Sequence, residues 1–217
     1  VVLGVQRRDD MAYYNSAVLL GPDAEVVQTY DKHHLVPFGE YIPFGDLLGR
    51  IGLRGMAAQF GSGFSSGPGA DLMDLGPLGQ ALPLICYEAV FARDVNAAPA
   101  RPAFLMQLTN DAWFGKGQGP LQHLAQARMR AIEQGLPMAR VANTGVSAMI
   151  DPWGRITKSL ALNEAGFLDA PLPAPRPATP YSRWGVWPFF FITLAGFALV
   201  ILRRRRNLKF DQRGRQS

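Results

Sequence analysis

The chain has 217 residues, of which 48% are hydrophobic and 18% charged, and this balance excludes an intrinsically disordered protein. The formal net charge of +5 is local, because residues 203–217 hold seven basic residues and one acidic residue, which leaves the rest of the chain slightly acidic. A folded basic surface for nucleic acid is therefore not expected, and the single cysteine excludes an internal disulfide.

The first strands are predicted from apolar runs that turn residues separate. Residues 1–5 are predicted to form one strand, 7–10 a polar connection, 14–20 a second strand and 25–30 a third. The chain starts inside a strand and without Met, so we expect the natural protein to extend further upstream.

Residues 30–44 contain two prolines and many polar and aromatic side chains, which suit neither a helix nor a central strand. We expect a shaped loop, with Lys32 at a strand end and Glu40 inside the loop. Taken alone, Lys32 is better explained as a solvated surface lysine and Glu40 as a loop-stabilising carboxylate. His33 and His34 point to opposite sides of an extended chain, so we expect no metal site.

The middle of the chain brings its only cysteine to the end of a strand. Residues 46–60 carry a weak helical pattern, and the glycine-rich segment 61–69 is either a mobile flap or a plain connector. Residues 79–86 are predicted to form a buried strand that ends at Cys86. Such a cysteine is most often a small buried hydrophobe. A short helix over 88–96 would favour its thiolate and make it a nucleophile.

The next strand is predicted over residues 103–109, and a polar and aromatic loop follows over 110–115. Apolar periodicity predicts a helix over 120–134. Two further strands, 137–142 and 146–150, precede a hairpin turn over 151–155.

The C-terminal part predicts a membrane anchor. Prolines make 171–185 a linker after a folded domain over 1–170. Residues 186–202 carry no charge and approach the ~20 residues that a spanning helix needs. Trp184, Trp187 and the basic cluster after the segment fit a membrane helix, and its positive charge places the tail 203–217 in the cytoplasm. The alternative is a buried C-terminal helix.

Acyl transfer through a thioester needs a thiolate and positive charge or N–H donors for the oxyanion. Lys32 can supply that charge, and the backbone N–H of Tyr87 can supply a second donor. Glu40 can hold Lys32 charged and oriented. Glu88 can do the same or position the acceptor.

Three motifs carry a resemblance to a known family. They are Tyr30-x-Lys32-x-His34-Leu35-Val36-Pro37-Phe38-Gly39-Glu40-Tyr41, Cys86-Tyr87-Glu88, and Leu108-Thr109-Asn110-Asp111-Ala112-Trp113-Phe114. In this order and spacing they resemble the apolipoprotein N-acyltransferases, membrane members of the nitrilase superfamily. The resemblance runs over nearly the whole chain.

The resemblance implies an α/β fold, a nitrilase-like α-β-β-α sandwich that lacks its N-terminal part here, followed by one transmembrane helix. It implies a Glu-Lys-Cys triad, without cofactor or metal. Cys86 matches the nucleophile, Lys32 the oxyanion-stabilising lysine and Glu40 a further essential glutamate, while Tyr87 and Glu88 match the neighbours of the nucleophile.

The implied reaction moves an acyl chain from a phospholipid, typically phosphatidylethanolamine, to the N-terminal diacylglyceryl-cysteine of an apolipoprotein. The implied location is the bacterial inner membrane, with the catalytic domain in the periplasm. Phe38, Tyr41, Trp113 and Phe114 are candidates for contact with the lipid.

The chain departs from the family pattern in one respect. The general-base glutamate of the family lies upstream of the first strand seen here, as do several membrane helices, so we expect this chain alone to be inactive. Two other functions remain open. One is a nitrilase-type amidase for a small carbon–nitrogen substrate, and the other is a non-catalytic, membrane-tethered binding domain.

Overall fold

The computed structural model describes residues 1–44 and 63–214, and the helix predicted over 46–60 lies outside these ranges. The described strands are β1 (Val2–Asp9), β2 (Ala12–Leu20), β3 (Val26–Asp31), β4 (Met73–Asp74), β5 (Gln80–Ile85), β6 (Phe104–Asn110), β7 (Met138–Asn143), β8 (Ser147–Ile150) and β9 (Ile156–Leu160). The described α-helices are α1 (Ala92–Asn96), α2 (Gly119–Gln134), α3 (Pro180–Trp184) and α4 (Trp187–Gly214).

The strands form two sheets. β1, β2 and β3 make an antiparallel meander, and the second sheet has the order β4-β5-β6-β7-β8-β9. β5, β6 and β7 run parallel, so their carboxyl ends lie at one edge of the sheet, while the remaining pairs are antiparallel. Loops at such an edge commonly carry the functional groups of α/β proteins.

The apolar run of β5 is continuous because both of its faces are buried. Ala81 packs with residues of the β1–β3 sheet, including Ala17 and Tyr30, in one core cluster. Leu82 and Leu84 face a second cluster that the helices cover. β5 is thus a central strand between a sheet and a helical layer, which gives its carboxyl end a rigid support.

Helix α2 forms the main part of this covering layer. It has a proline in its first turn, and Gly135 ends it in the left-handed conformation with φ +63°. Leu124, Ala127 and Ala131 lie on its buried face, and the small side chains of the two alanines let the helix approach the sheet closely.

Two local predictions differ from the structure, and one strand was missed. Residues 7–9 continue β1 instead of forming a connection, because Arg7 donates to Asp31 at 2.6 Å and lies over the Tyr14 ring. β4 was not predicted, since two residues leave no periodicity. The region predicted as a short helix over 88–96 is a 3₁₀ turn, Cys86–Val90, followed by α1.

The compact first unit extends to Pro177, so part of the predicted linker belongs to it. Leu172 packs on the core, and the N–H of Arg176 donates to the carbonyl of Gly135 at 2.9 Å. The second unit contains α3 and α4. Helix α4 begins one residue after the start of the predicted membrane segment 186–202, contains the rest of that segment and continues through the arginines to Gly214.

The backbone next to Lys32 requires a glycine at position 67. A Cβ there would lie 2.2 Å from the carbonyl oxygen of Asp31, whereas a Cβ at Gly117 meets nothing within 4 Å. We expect Gly67→Ala to lower the free energy of unfolding by about 1–3 kcal/mol and Gly117→Ala to change it by less than about 0.5 kcal/mol. Urea denaturation followed by near-UV circular dichroism measures both, and equal effects would contradict the close packing.

Candidate active site

The candidate site lies at the carboxyl ends of β5 and β6, opposite the end of β3. Cys86 follows β5, Asp111 follows β6, and Lys32 follows β3 of the facing sheet. The site therefore draws its side chains from both sheets, and the rigid layers between them fix the distances.

Cys86 starts the 3₁₀ turn in a left-handed conformation with φ +51°. A non-glycine residue pays of order 1 kcal/mol for such a backbone, and residues of this kind cluster at functional sites. Tyr87 is the second residue of the turn, where backbone N–H groups have no acceptor within the turn. The turn thus presents a thiol and free N–H groups at the same place.

Lys32 is buried, with 1% of its surface exposed, and its charge is paired with Glu40. Lys32 Nζ donates to Glu40 Oε2 at 2.7 Å. The same oxygen accepts from the N–H of Val36 at 2.7 Å, and Asn15 Nδ2 donates to Oε1. Asn15 also holds the main chain, because its carbonyl accepts from the N–H of Lys32 at 2.8 Å. Sequence reasoning did not find Asn15.

The pKa of the Cys86 thiol lies above its ordinary value. Burial is the main cause and exceeds the opposing effects, which are the positive charge of Lys32 and a hydrogen bond with Thr109. The short turn therefore does not make a stable thiolate, contrary to the expected effect of a helix start. The thiol needs a base at the moment of reaction.

Glu88 is completely buried and joins the strand of the nucleophile to the loop of the lysine. Its Oε1 accepts from the Tyr30 hydroxyl at 2.9 Å and from the N–H of His33 at 2.8 Å. Its Oε2 accepts from the N–H of Ile85 at 2.7 Å. A second contact, between His33 Nδ1 and Glu88 Oε1 at 2.8 Å, raises the pKa of the His33 imidazole. No described bond joins Glu88 to Lys32, so this carboxylate holds two backbone segments and the Tyr30 and His33 side chains, and not the lysine.

His33 and His34 have different partners, as their alternation along the chain predicts. His34 Nδ1 lies 2.5 Å from Asp94 Oδ2, and its ring stacks on Phe91 with centroids 4.3 Å apart. The Tyr87 ring meets the His34 ring edge-on at 5.2 Å. Within residues 1–44 and 63–214, no group of three or more metal-binding side chains is suited to a metal ion.

The aromatic candidates for lipid contact are largely accessible. Phe38 has φ +62°, and its N–H donates to the Tyr41 carbonyl at 2.7 Å, so a tight turn presents its exposed ring. Trp113 is 64% exposed. Phe114 is more covered, and its ring meets the imidazole of His123 at 5.2 Å.

Four buried polar residues beside Cys86 were not found from the sequence: Gln107, Asp111, His123 and Arg140. Gln107 and Arg140 interrupt apolar strands, and they are partners in the β6–β7 register. His123 lies beside Leu124 on the buried face of α2, where Arg130 and Gln134 are also polar. For Gln107 and Arg140, a polar residue at an otherwise apolar strand position was the available signal.

Comparison with known proteins places the chain in a family. Residues 1–176 match the profile of the carbon-nitrogen hydrolase family. The chain belongs to this family. A solved amidase from Nesterenkonia sp. AN1, with acrylamide added at its active-site cysteine, superposes with a TM-score of 0.54 at 21% identity. The match covers 76% of this chain and 59% of that one, and it confirms the predicted nitrilase-like fold.

Curated relatives with higher identity are named apolipoprotein N-acyltransferase, which confirms the resemblance. The protein of Rhodopseudomonas palustris is 48% identical over 88% of this chain, and that of Bradyrhizobium diazoefficiens 47% over 90%. The protein of Sinorhizobium fredii is 42% identical over 97%. The chain spans only 36–40% of the length of these relatives.

Replacing Lys32 tests its influence on the thiol. Burial raises the pKa of the Cys86 thiol, and the positive charge of Lys32 lowers it. Lys32→Met should therefore move the pH profile of Cys86 alkylation by iodoacetamide upward by about one unit. Lys158→Met is the control, since Lys158 Nζ bonds only the Asp169 carbonyl among its described partners. An unchanged profile in Lys32→Met would contradict the assigned proximity.

Proposed function

We propose that the chain is the catalytic part of a membrane-bound N-acyltransferase. It transfers an acyl chain from a phospholipid, through a thioester on Cys86, to the α-amino group of the lipid-modified N-terminal cysteine of an apolipoprotein. The observation that carries this proposal is the 42–48% identity with apolipoprotein N-acyltransferases over both the Cys86–Lys32 site and most of the chain.

In the first half-reaction the Cys86 sulfur attacks the ester carbonyl of the phospholipid. Lys32 and the Tyr87 N–H stabilise the oxyanion, the carbon–oxygen bond breaks, and the thiol proton reaches the leaving lysophospholipid alkoxide. In the second half-reaction the acceptor amine attacks the thioester, the carbon–sulfur bond breaks, and a proton returns to the sulfur. Glu40 keeps Lys32 charged through both steps.

The proton transfers need a base close to the sulfur. Glu40 and Glu88 are committed to their hydrogen-bond donors, so neither is free for this role. We assign the base to a glutamate outside this chain, as the family resemblance implies. On this account residues 1–217 alone bind and position the substrate but do not catalyse its turnover.

A lipid donor fits the exposed aromatic side chains and the second unit. The acyl carbons can be buried against Phe38, Tyr41, Trp113 and Phe114. Each CH₂ group that leaves water contributes about 0.8 kcal/mol to binding. Helix α4 contains an 18-residue window, Trp187–Arg204, with mean hydropathy 1.5 and no burial, long enough to cross a membrane.

We further propose the inner membrane of a bacterium as the location. The arginines that follow the apolar window belong on the cytoplasmic side, which leaves residues 1–170 in the periplasm, joined by the linker 171–185 to the span 186–202 and the tail 203–217. Phosphatidylethanolamine is the proposed donor.

Mass spectrometry tests the thioester. The protein, expressed with any residues that precede Val1 in its gene, is incubated in vesicles of phosphatidylethanolamine with a ¹³C-labelled acyl chain. We expect a labelled adduct on Cys86, lost in Cys86→Ala and reduced at least about tenfold in Lys32→Met. No adduct on a folded, vesicle-bound protein would contradict the proposal and favour an amidase or a binding domain.

Replacing an exposed aromatic residue separates lipid binding from folding. Trp113→Ala should lower turnover of the phospholipid about tenfold and change Cys86 alkylation by less than about twofold. Trp153→Ala is the matched control, because Trp153 is also half-exposed but lies against Arg155 and Arg176, away from the site loops. Equal loss of turnover and alkylation in Trp113→Ala would indicate a folding defect instead.

A further inference from the structure

The buried polar side chains beside the nucleophile have no role in the steps above. Gln107, Asp111, His123 and Arg140 are each at most 2% exposed. Burying two ionic groups and two polar groups costs several kcal/mol unless every one is bonded. A cluster of this kind at the end of β6 therefore requires an explanation.

The guanidinium of Arg140 fixes the orientation of the Gln107 amide. Arg140 Nη1 donates to Gln107 Oε1, and Arg140 Nε donates to the carbonyl of Val146 at 3.2 Å. Because the oxygen of the amide faces Arg140, its nitrogen must face the other way. Gln107 Nε2 donates there to the carbonyl oxygen of Cys86 at 3.3 Å.

Asp111 fixes the imidazole of His123 in the same manner. Burial opposes ionisation of Asp111, but the hydrogen bond from His123 and the charge of Arg140 bring its pKa below the ordinary value. Its carboxylate accepts from Arg140 Nη2 at 2.5 Å and from Thr109 Oγ1 at 3.0 Å. A carboxylate only accepts, so His123 Nδ1, 2.9 Å from Asp111 Oδ1, carries the proton.

The other ring nitrogen then faces the nucleophile. His123 Nε2 lies 3.1 Å from the carbonyl oxygen of Cys86 and 3.1 Å from Gln107 Nε2. A neutral ring accepts from the Gln107 amide and locks it, while a charged ring donates to Cys86 directly. In both states the carbonyl of Cys86 receives at least one N–H from the cluster.

This carbonyl belongs to the strained residue. Cys86 has φ +51°, a conformation that persists only when surrounding groups hold it. We propose that Gln107 and His123 are positioning residues. Their hydrogen bonds to the carbonyl of Cys86 keep the left-handed backbone of this residue and hold its thiol close to the positive charge of Lys32. This inference rests on the proposed role of Cys86 as nucleophile.

Iodoacetamide alkylation of the chain in detergent micelles tests whether Gln107 and His123 position Cys86. Cys86 is the only cysteine of the chain, so alkylation reports on this residue. Gln107→Met removes the donor to Cys86 without adding a charge beside the thiol, and His123→Phe keeps a ring but removes both bonds. Without these hydrogen bonds, the thiol moves away from the positive charge of Lys32, whereas the effect of burial on its pKa remains. We expect the pH profile of iodoacetamide alkylation to move upward, with the rate at pH 7.5 about tenfold lower.

The matched control is Gln134→Met. Gln134 is a buried amide on the same helix, and its Nε2 bonds Asn96 Oδ1 at 2.5 Å, remote from Cys86 in the contacts described. It should lower the melting temperature but leave the alkylation profile unchanged. A profile that is unchanged or moved to lower pH in folded Gln107→Met and His123→Phe would overturn the inference.

A measurement on the unsubstituted chain covers the case in which the variants do not fold. The two Nε2 protons of Gln107 should exchange with water at least about a hundredfold more slowly than those of an exposed glutamine. Exchange at the rate of an exposed amide would overturn the inference. Neither test uses lipid. An altered alkylation profile without any acyl adduct would therefore contradict the proposed function while supporting the positioning of Cys86 by Gln107 and His123.

Discussion

The arrangement of the site depends on one buried carboxylate. Glu88 accepts hydrogen bonds from the backbone of Ile85, immediately before the nucleophile, and from the backbone of His33, immediately after the lysine. Hydrogen bonds to a charged group contribute about 1.5–3 kcal/mol each, and loss of a donor would leave a buried charge unpaired. The carboxylate of Glu88 therefore holds together the backbones of the two segments that carry Cys86 and Lys32.

Burial works against the thiolate and in favour of the thioester. Around Cys86 the cost of removing a charge from water exceeds the attraction of Lys32, and the resting thiol stays protonated. The same exclusion of water would protect an acyl thioester from hydrolysis until the acceptor amine arrives. A partly buried thiol near a buried lysine, with exposed aromatic side chains on nearby loops, fits the phospholipid ester that we propose as the acyl donor.

The sequence predicted what depends on local pattern. The apolar runs predicted β2, β5, β6 and β7 nearly to their ends, and the motifs around Lys32, Cys86 and Trp113 indicated the fold through family resemblance. The continuation of β1 depends on the pairing of Arg7 with Asp31, which are distant in sequence.

The contacts that order the site were not predictable for the same reason. Asn15 lies in an ordinary strand, and its bond to Glu40 appears only when β2 and the loop after β3 meet. The adjacency of Gln107 and Arg140 follows from strand register. Register is set by the packing of whole sheets and leaves little trace in a single strand.

Amide hydrogen exchange in Glu88→Gln tests the central claim most directly, that this carboxylate ties both segments. The amide keeps one acceptor oxygen and turns the other into a donor. We predict faster exchange at both His33 and Ile85, because each bond fixes the side chain for the other, and unchanged exchange at Asp151, whose N–H donates to the Arg155 carbonyl elsewhere. Unchanged exchange at His33 and Ile85, or an equal increase at all three amides, would contradict the account.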